Sequence, residues 1–261
     1  MVTPNKILKN RGDKQIKYGD NVNPVARKLI YNFLKIQVIR KEIKNSNIRI
    51  LELGCSTGAL GNHFLNDISL IHWHGVDYSE EAIKIAKTRL SNTTVLNLNA
   101  KNALRELESS SRNDVNLIVM CDIFEHLDEP CDMLESLPTI FKNAEIIITL
   151  PNIASEQIFL NLANRDFPYA DSGILDKTHK SFYTIKSFKR LAKINGYKIA
   201  SPPQWLIDPI SAESMKNYNL PARQYPIKLH KENFTIIIKD KNELVEHCSY
   251  GFGLHLAREN T

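Results

Sequence analysis

No Cys-x-x-Cys pair, no long apolar run and no block of like charge occurs in this sequence of 261 residues. The four cysteines, Cys55, Cys121, Cys131 and Cys248, are scattered. Two of them sit in apolar, strand-like contexts where a free thiol behaves as a small hydrophobe, so a reducing cytosol is the expected setting. No stretch approaches the ~18 apolar residues that span a bilayer, which argues against a membrane-spanning helix. The opening "MVTPNKILKNRGDKQIKYGD" lacks the apolar centre of a secretory signal and reads as a polar arm, consistent with a cytoplasmic location. Lys and Arg number 34 against 29 Asp and Glu, a net charge of +5, but the signs are interleaved along the whole chain. That pattern is a solvated surface rather than a track for nucleic acid. Hydrophobic residues at 43% and charged ones at 24% are ordinary for a globular protein, and the length suits one domain with an appendage.

Apolar periodicity orders what is present. From Pro24 to Lys44 the residues Val25, Leu29 and Phe33, or Ile30 and Leu34, with Ile36, recur at helical spacing, and Pro24 stands at a first turn. This stretch predicts an amphipathic cover helix. Short apolar runs follow at 48–53, 72–77, 94–98, 115–120 and 145–150, separated by helix-like segments. Strands alternating with helices imply right-handed crossovers and a parallel sheet. The unbroken apolarity of "LIVM" and "IIITL" suits central strands covered on both faces. Further on come a helix in "SEQIFLNLANR", a loop, and a helix in "TIKSFKRLAKING" with Thr184 as cap and Gly196 as stop. "YKIASPPQWL" reads as a strand entering a Pro-broken linker, and the tail holds two strand candidates, 234–240 and 252–258, that could complete the sheet antiparallel. The expected architecture is a Rossmann-like, doubly wound α/β fold with a mostly parallel seven-stranded sheet, an antiparallel edge and helices on both faces. Residues 1–47 form the arm and cover helix, 48–200 the core, and 201–261 an extension completing the sheet.

The stretch "LELGCSTGAL" at 51–60 ends a strand in a glycine loop and enters a helix, bringing backbone N–H groups up to a ligand. The spacing of Gly54, Gly58 and Gly61 departs from the G-x-G-x-x-G of dinucleotide sites, and Glu52 in the approach would repel a pyrophosphate. A cationic or amino-bearing ligand fits better. Asp77 ends the second strand, placed to accept hydrogen bonds from the two hydroxyls of a ribose. Ser79 then caps "SEEAIKIAKTRL", with Glu80 and Glu81 in the first turn and Lys87 and Arg89 near the last, as the helix dipole favours.

With "LELGCSTG", "VDYSEEAI" and "LIVMCDIFEHL" in this order, the chain resembles the class I S-adenosylmethionine-dependent methyltransferases over roughly 48–199. The resemblance implies S-adenosyl-L-methionine as cofactor. It places Gly54, Cys55, Ser56, Thr57 and Gly58 around the methionine part, Glu52 near its amino end, and Asp77 with Tyr78 at the ribose. Asn99 and Ala100 stand where the family often has Asp and a small residue facing the adenine, and Cys121 and Asp122 close the pocket. Ser56, where many relatives have Gly, is tolerable if its backbone angles are ordinary.

A second constellation, "CDIFEHLDEP", follows the fourth strand. If a helical turn begins there, Asp122, Glu125 and His126 at i, i+3 and i+4 point the same way, and "LDKTHKSFYT" adds His179 before a helix. Methyl transfer to a hydroxyl is an in-line displacement that needs the acceptor positioned and its proton removed, and a histidine at the strand edge can be that base. The segment also resembles the ubiquinone-pathway O-methyltransferases and the small-RNA 3′-terminal 2′-O-methyltransferases. There E-x-x-E-H and a distant His bind a divalent metal, which carries over to Asp122, Glu125, His126 and His179, with Asp at 122 one methylene shorter than Glu. Such a ligand set does not choose among Mg²⁺, Mn²⁺, Zn²⁺ and Fe²⁺. "DIFEHL" with "LDKTHKSFYT" is similar to a bacterial group found with glycan and secondary-metabolite pathways, where the same segments recur without a settled metal role. In a plainer reading Asp122 lines the cofactor pocket, Glu125 braces the loop, and His126 or His179 is the base or packs.

The expected activity is O-methylation of a sugar, glycan or small-metabolite hydroxyl, with Glu125, His126 and His179 as catalytic candidates. Its rivals are a metal-dependent RNA 2′-O-methyltransferase, disfavoured by the missing basic stripe, a silent S-adenosylmethionine-binding partner subunit, and a nicotinamide oxidoreductase. Arg165, Tyr169, Tyr183 and Trp205 could line the acceptor space or simply pack, and His63, His72, His74 and His255 are read as structural.

Overall fold

The computed structural model describes residues 22–39, 47–66, 68, 70–111, 114–207, 227–231 and 234–259. The N-terminal arm and the 40–44 end of the expected first helix lie outside the described residues. Helix α1 spans Pro24–Ile39 and buries Val25, Ala26, Leu29, Ile30, Phe33 and Leu34, a stripe at helical spacing, whereas Ile36 faces outward. Asn23 precedes it and accepts hydrogen bonds from the amides of Val25 (3.0 Å) and Ala26 (3.1 Å), capping the first turn.

Strand β1 (Ile48–Leu53) shows why a continuous apolar run suits a central strand. Ile48 and Ile50 join one core layer with α1, while Leu51 and Leu53 join the layer on the other face. After it come α2 (Ala59–Leu65), β2 (Ile71–Asp77), α3 (Glu80–Ala86), β3 (Asn92–Val95), α4 (Ala103–Ser110) and β4 (Leu117–Cys121). A single 3₁₀ turn, Phe124–His126, leads to α5 (Pro130–Ile140), β5 (Glu145–Pro151), α6 (Glu156–Ala163), α7 (Ile185–Ile194), β6 (Tyr197–Ile199) and β7 (Gln204–Leu206). Strands β8 (Ile227–Lys231) and β9 (Phe234–Ile238), α8 (Lys241–His247) and β10 (Gly251–Arg258) complete the described chain.

The sheet has eight strands in the order β3-β2-β1-β4-β5-β10-β6, with β7 also paired to β10. Strands β1 to β5 are parallel, and β10 runs antiparallel between β5 and β6. The fold is thus the expected Rossmann-like α/β arrangement with helices on both faces. Two expectations are corrected: the sheet has eight strands rather than seven, with 204–206 forming β7 against β10, and the 234–240 segment does not extend this sheet but pairs with β8 in a separate two-stranded unit. A hairpin partner is near in sequence, so local pairing wins over the sheet edge.

The chain turns back on itself between β1 and β4. The order runs outward to β2 and β3 on one side and to β5 on the other, so the carboxyl ends of β1 and β4 diverge and open a crevice. Beside the crevice, where β10 pairs with β5 at Thr149, the packing is tight. A Cβ on Gly253 would lie 2.3 Å from Val25 Cγ1, so only glycine lets α1 lie down on β10.

Candidate active site

The glycine loop after β1 is built by its backbone. The amides of Gly54 (2.8 Å) and Cys55 (2.9 Å) both donate to the carbonyl of Val76 at the end of β2. Gly54 has φ 78°, and a Cβ there would meet Ile123 Cγ1 at 2.9 Å, so the loop floor must stay bare. Ser56 has φ 49°, in the left-handed region, so its backbone is not ordinary. Its amide is held by Asp77 Oδ2 at 2.8 Å, which fixes the residue in that conformation.

Asp77 is the post around which two loops are tied. Its carboxylate accepts from Ser56 N and, at 3.0 Å, from Ser79 N. Burial raises its pKa from the ordinary value, and the amides of Ser79, Ser56 and Tyr78 oppose that shift. Asp77 and Gly54 open onto a cleft of about 680 Å³ whose other walls include Tyr78, Leu96, Asn99, Cys121, Asp122, Ile123 and His126. Asn99 donates to the carbonyl of His126 (3.2 Å) and accepts from the amide of Asp128 (2.7 Å), joining the loop after β3 to the one after β4.

Not every expected cofactor residue reaches the cleft. Gly54, Asp77, Tyr78, Asn99, Cys121 and Asp122 line it, whereas Glu52, Cys55, Ser56, Thr57, Gly58 and Ala100 do not. Cys55 is buried in the core layer below the loop, Gly58 packs on Leu90, and Ala100 lines a neighbouring hollow that shares Asn99 with the cleft. Thr57 is met from outside by Arg89 Nη1, 3.4 Å from its hydroxyl and its carbonyl. Glu52 turns into the core layer, where its Oε2 accepts the indole N–H of Trp73 at 2.7 Å. Missed in the sequence were the apolar walls Leu96, Ile123 and Leu127, which carried no signal beyond hydrophobicity.

Burial pushes the Glu52 carboxyl from 4.5 to about 8, with the Trp73 bond opposing and the Asp77 charge adding to the shift. The folded chain therefore binds this proton more tightly than the unfolded one. Its stabilisation is complete below the ordinary value and is lost as pH rises through about 8. Glu52→Gln keeps an acceptor for Trp73 without the titration. Melting curves between about pH 5 and pH 9 are expected to show wild type losing on the order of a few kcal/mol relative to the variant. A constant gap between the two would contradict the neutral carboxyl.

The second constellation assembles in part. Glu125 and His126 lie in the 3₁₀ turn, and Asp122 precedes it at φ 49°, so the expected helical register is absent. Glu125, His126 and His179 offer ligand atoms within 4.8 Å of one another, and Asp122 is outside that group. Glu125 Oε1 lies 3.8 Å from His126 Nε2 and 3.7 Å from His179 Nε2. All three are buried. Each ring is anchored by its other nitrogen: His126 Nδ1 to the carbonyl (3.1 Å) and hydroxyl (3.2 Å) of Thr178, His179 Nδ1 to the carbonyl of Ile174 (2.9 Å). A carbonyl only accepts, so Nδ1 carries the hydrogen and the neutral ring presents the Nε2 lone pair toward Glu125.

The segment "DKTH" explains this presentation. Asp176 Oδ1 accepts from the Thr178 amide (2.8 Å) and hydroxyl (2.6 Å), forming an Asx turn that aims Thr178 at His126 and carries His179 next to it. The amides of Lys180 (2.8 Å) and Ser181 (3.2 Å) then dock on the carbonyl of Glu125.

Glu125 and His179 line a second cavity of about 490 Å³, with Leu150, Pro151, Ile174, Leu206 and Tyr250 as its mostly apolar walls. Asp122 lines both cavities. Among the described residues no Lys or Arg lines either one. Tyr183 and Trp205 are not in the cavity wall; they pack on Phe188 and Phe252. Tyr169 is exposed against Phe167, and Arg165 is exposed at φ 57°. Tyr250 supplies the aromatic ring instead.

Residues 25–201 match the model of a family described as a methyltransferase domain. The malonyl-[acyl-carrier protein] O-methyltransferase of Bacillus anthracis is 33% identical over 89 residues, 34% of this chain and 32% of that protein. The enzyme of the same name from Halalkalibacterium halodurans is 28% identical over 146 residues, 54% of this chain and 53% of the relative. The chain thus spans about half, or less, of the curated relatives it matches. In fold it is similar to magnesium protoporphyrin IX methyltransferase from Synechocystis PCC 6803, solved with bound S-adenosylhomocysteine: TM-score 0.55, 12% identity, 98% of both chains covered.

Proposed function

The chain belongs to the methyltransferase-domain family and is an S-adenosylmethionine-dependent methyltransferase, and we propose on that premise that it methylates a hydroxyl oxygen of a sugar, glycan or other small metabolite. One observation carries the acceptor chemistry: two Nε2 lone pairs and a carboxylate oxygen converge, buried, beside the cofactor cleft. Three buried acceptors facing one another are stable only with a positive group between them, which is a proton or a metal cation.

The cleft fits the cofactor. Its bare floor at Gly54 allows close backbone approach, Asp77 stands ready for ribose hydroxyls, and two carboxylates with no Lys or Arg among the described residues of the wall suit a cationic ligand rather than a pyrophosphate. S-adenosylmethionine supplies an electrophilic methyl group on a positively charged sulfur. The chain's own task is to hold the acceptor in line, exclude water and remove its proton. A hydroxyl entering the second cavity meets His179, the imidazolium formed is stabilised by the Glu125 carboxylate, and His126 faces the same carboxylate from the cleft side.

The same three atoms support a second reading. A divalent cation would be held by Glu125 Oε1 and the Nε2 atoms of His126 and His179, with both Nδ1–H groups braced on carbonyls as metal-bound imidazoles are. It would act there as a Lewis acid on the hydroxyl. The relatives act on a malonyl group, whose carboxylate is an anion. With Glu125 and Asp122 on the cavity wall and no cationic side chain there among the described residues, a neutral hydroxyl is the better guest.

The test is transfer of labelled methyl from S-adenosylmethionine into a fractionated extract, with and without a chelator. Label in carbohydrate or small-metabolite fractions is expected, and loss of it with chelator selects the metal reading over the histidine base. Label confined to acyl-carrier protein or RNA would overturn the acceptor class.

A further inference from the structure

Asn23 does more than cap α1. Its Nδ2 donates to Asp122 Oδ2 at 3.2 Å and to the Thr149 hydroxyl at 3.3 Å, across sequence separations of 99 and 126. Thr149, fully buried on β5, donates its own hydroxyl to Asp122 Oδ1 at 2.9 Å, and its carbonyl accepts the Asp122 amide at 3.2 Å. Both oxygens and the backbone of Asp122 are therefore pinned, at a left-handed φ of 49° that a non-glycine residue adopts only when its surroundings enforce it. The pinned carboxylate is where the two cavities meet, since Asp122 lines each of them. This is the place a methyl group must cross.

The other acids near the cleft are otherwise engaged. Asp77 accepts from the amides that shape the loops, and Glu52 is turned away onto Trp73. Among the described residues no Lys or Arg lies in either wall, and Asp122 is the carboxylate that lines both, with Asp77 on the cleft side and Glu125 on the second-cavity side adding negative charge. The reaction moves one positive charge from the sulfur to the base. The S–CH₃ bond breaks with its electron pair left on sulfur, the O–CH₃ bond forms, and the hydroxyl proton passes to the base, so a sulfonium becomes a neutral thioether.

We propose that Asn23 and Thr149 are positioning residues that hold the Asp122 carboxylate at the junction of the two cavities, and that this carboxylate makes the site favour the sulfonium donor over its neutral thioether product. The inference rests on the cleft being the S-adenosylmethionine site. Turnover then weakens the hold on the spent cofactor. A negative charge near the sulfur does this without any conformational change, because the cofactor has lost its positive charge.

Calorimetric titration of the full chain with two ligands tests it: S-adenosylhomocysteine, neutral at sulfur, and sinefungin, which carries a protonated amine in the sulfonium position. Wild type is expected to bind sinefungin more tightly. Asp122→Asn keeps the shape and is expected to cost sinefungin about tenfold in affinity, with S-adenosylhomocysteine changed less than about twofold. Asn23→Ser keeps a cap for α1 but is too short to reach Asp122, and is expected to lower the same ratio by a smaller factor. Parallel losses for both ligands, or none, would overturn the role of Asp122. A merely structural Asn23 would shift the melting temperature and leave the ratio unmoved. Wild type binding neither ligand would overturn the cleft assignment itself.

Discussion

His126→Ala is expected to lower kcat by about 10²-fold or more while S-adenosylhomocysteine affinity stays within a few-fold. The ring sits where the cleft and the Glu125, His126 and His179 cluster meet: it lines the cleft, and its Nε2 lies 3.8 Å from Glu125 Oε1. Removing it deletes one of the two imidazole nitrogens that face Glu125 but leaves Asp77 and the glycine loop in place. His179→Ala is the cleaner companion, since His179 lines the second cavity and not the cleft. Stopped assays at saturating cofactor give kcat, and calorimetry gives the affinity. Near wild-type kcat in both variants would remove the cluster from the chemistry. Glu125→Gln sharpens the case: it keeps volume but removes the charge that stabilises an imidazolium or a bound cation, so a loss comparable to that of His126→Ala is expected.

Asp77→Ala is expected to weaken cofactor binding by about 10²-fold, the order lost when charge-assisted hydrogen bonds to two hydroxyls are removed. The variant also frees the amides of Ser56 and Ser79, so the loop that carries Ser56 at φ 49° loses its anchor. Two effects are thereby combined, and Asp77→Asn separates them, because it keeps an acceptor for one amide while removing the charge. The acid limb has a defined sign. Burial holds the Asp77 pKa above its ordinary value in the unliganded chain, so affinity is expected to fall as pH drops through that raised pKa. Calorimetry with S-adenosylhomocysteine reads all three effects, and unchanged affinity in Asp77→Ala would contradict the ribose contact.

Much of the fold was legible because its signals are local. The strand ending at Leu53, the glycines after it, Asp77 closing β2 and the Ser79 and Thr184 caps are each set by a few neighbouring residues. Ser79 accepts from the Ala82 amide at 3.1 Å, and Thr184 forms a reciprocal cap with Ser187. What stayed illegible depends on long-range contact. Nothing near Asn23 in sequence marks it as a partner of Asp122 and Thr149, and nothing near Glu52 marks Trp73 as the group it turns toward. The choice between lining and packing at Tyr183 and Trp205 was open in the sequence for the same reason: it is their distant neighbours Phe188 and Phe252 that draw them into the core. Helical spacing placed Asp122 with Glu125 and His126, yet the left-handed φ at Asp122 breaks that register and sends its carboxylate to α1 and β5.

The most direct measurement is the alkali stability of the transferred methyl group. A methyl ether on a hydroxyl survives mild base, whereas a methyl ester on a carboxylate is hydrolysed and releases volatile labelled methanol. Stable label, abolished in Glu125→Gln, is the result expected if the buried Glu125, His126 and His179 cluster exists to remove a hydroxyl proton. Label released as methanol, with Glu125→Gln still active, would mean that the acceptor is a carboxylate and that the cluster has another purpose.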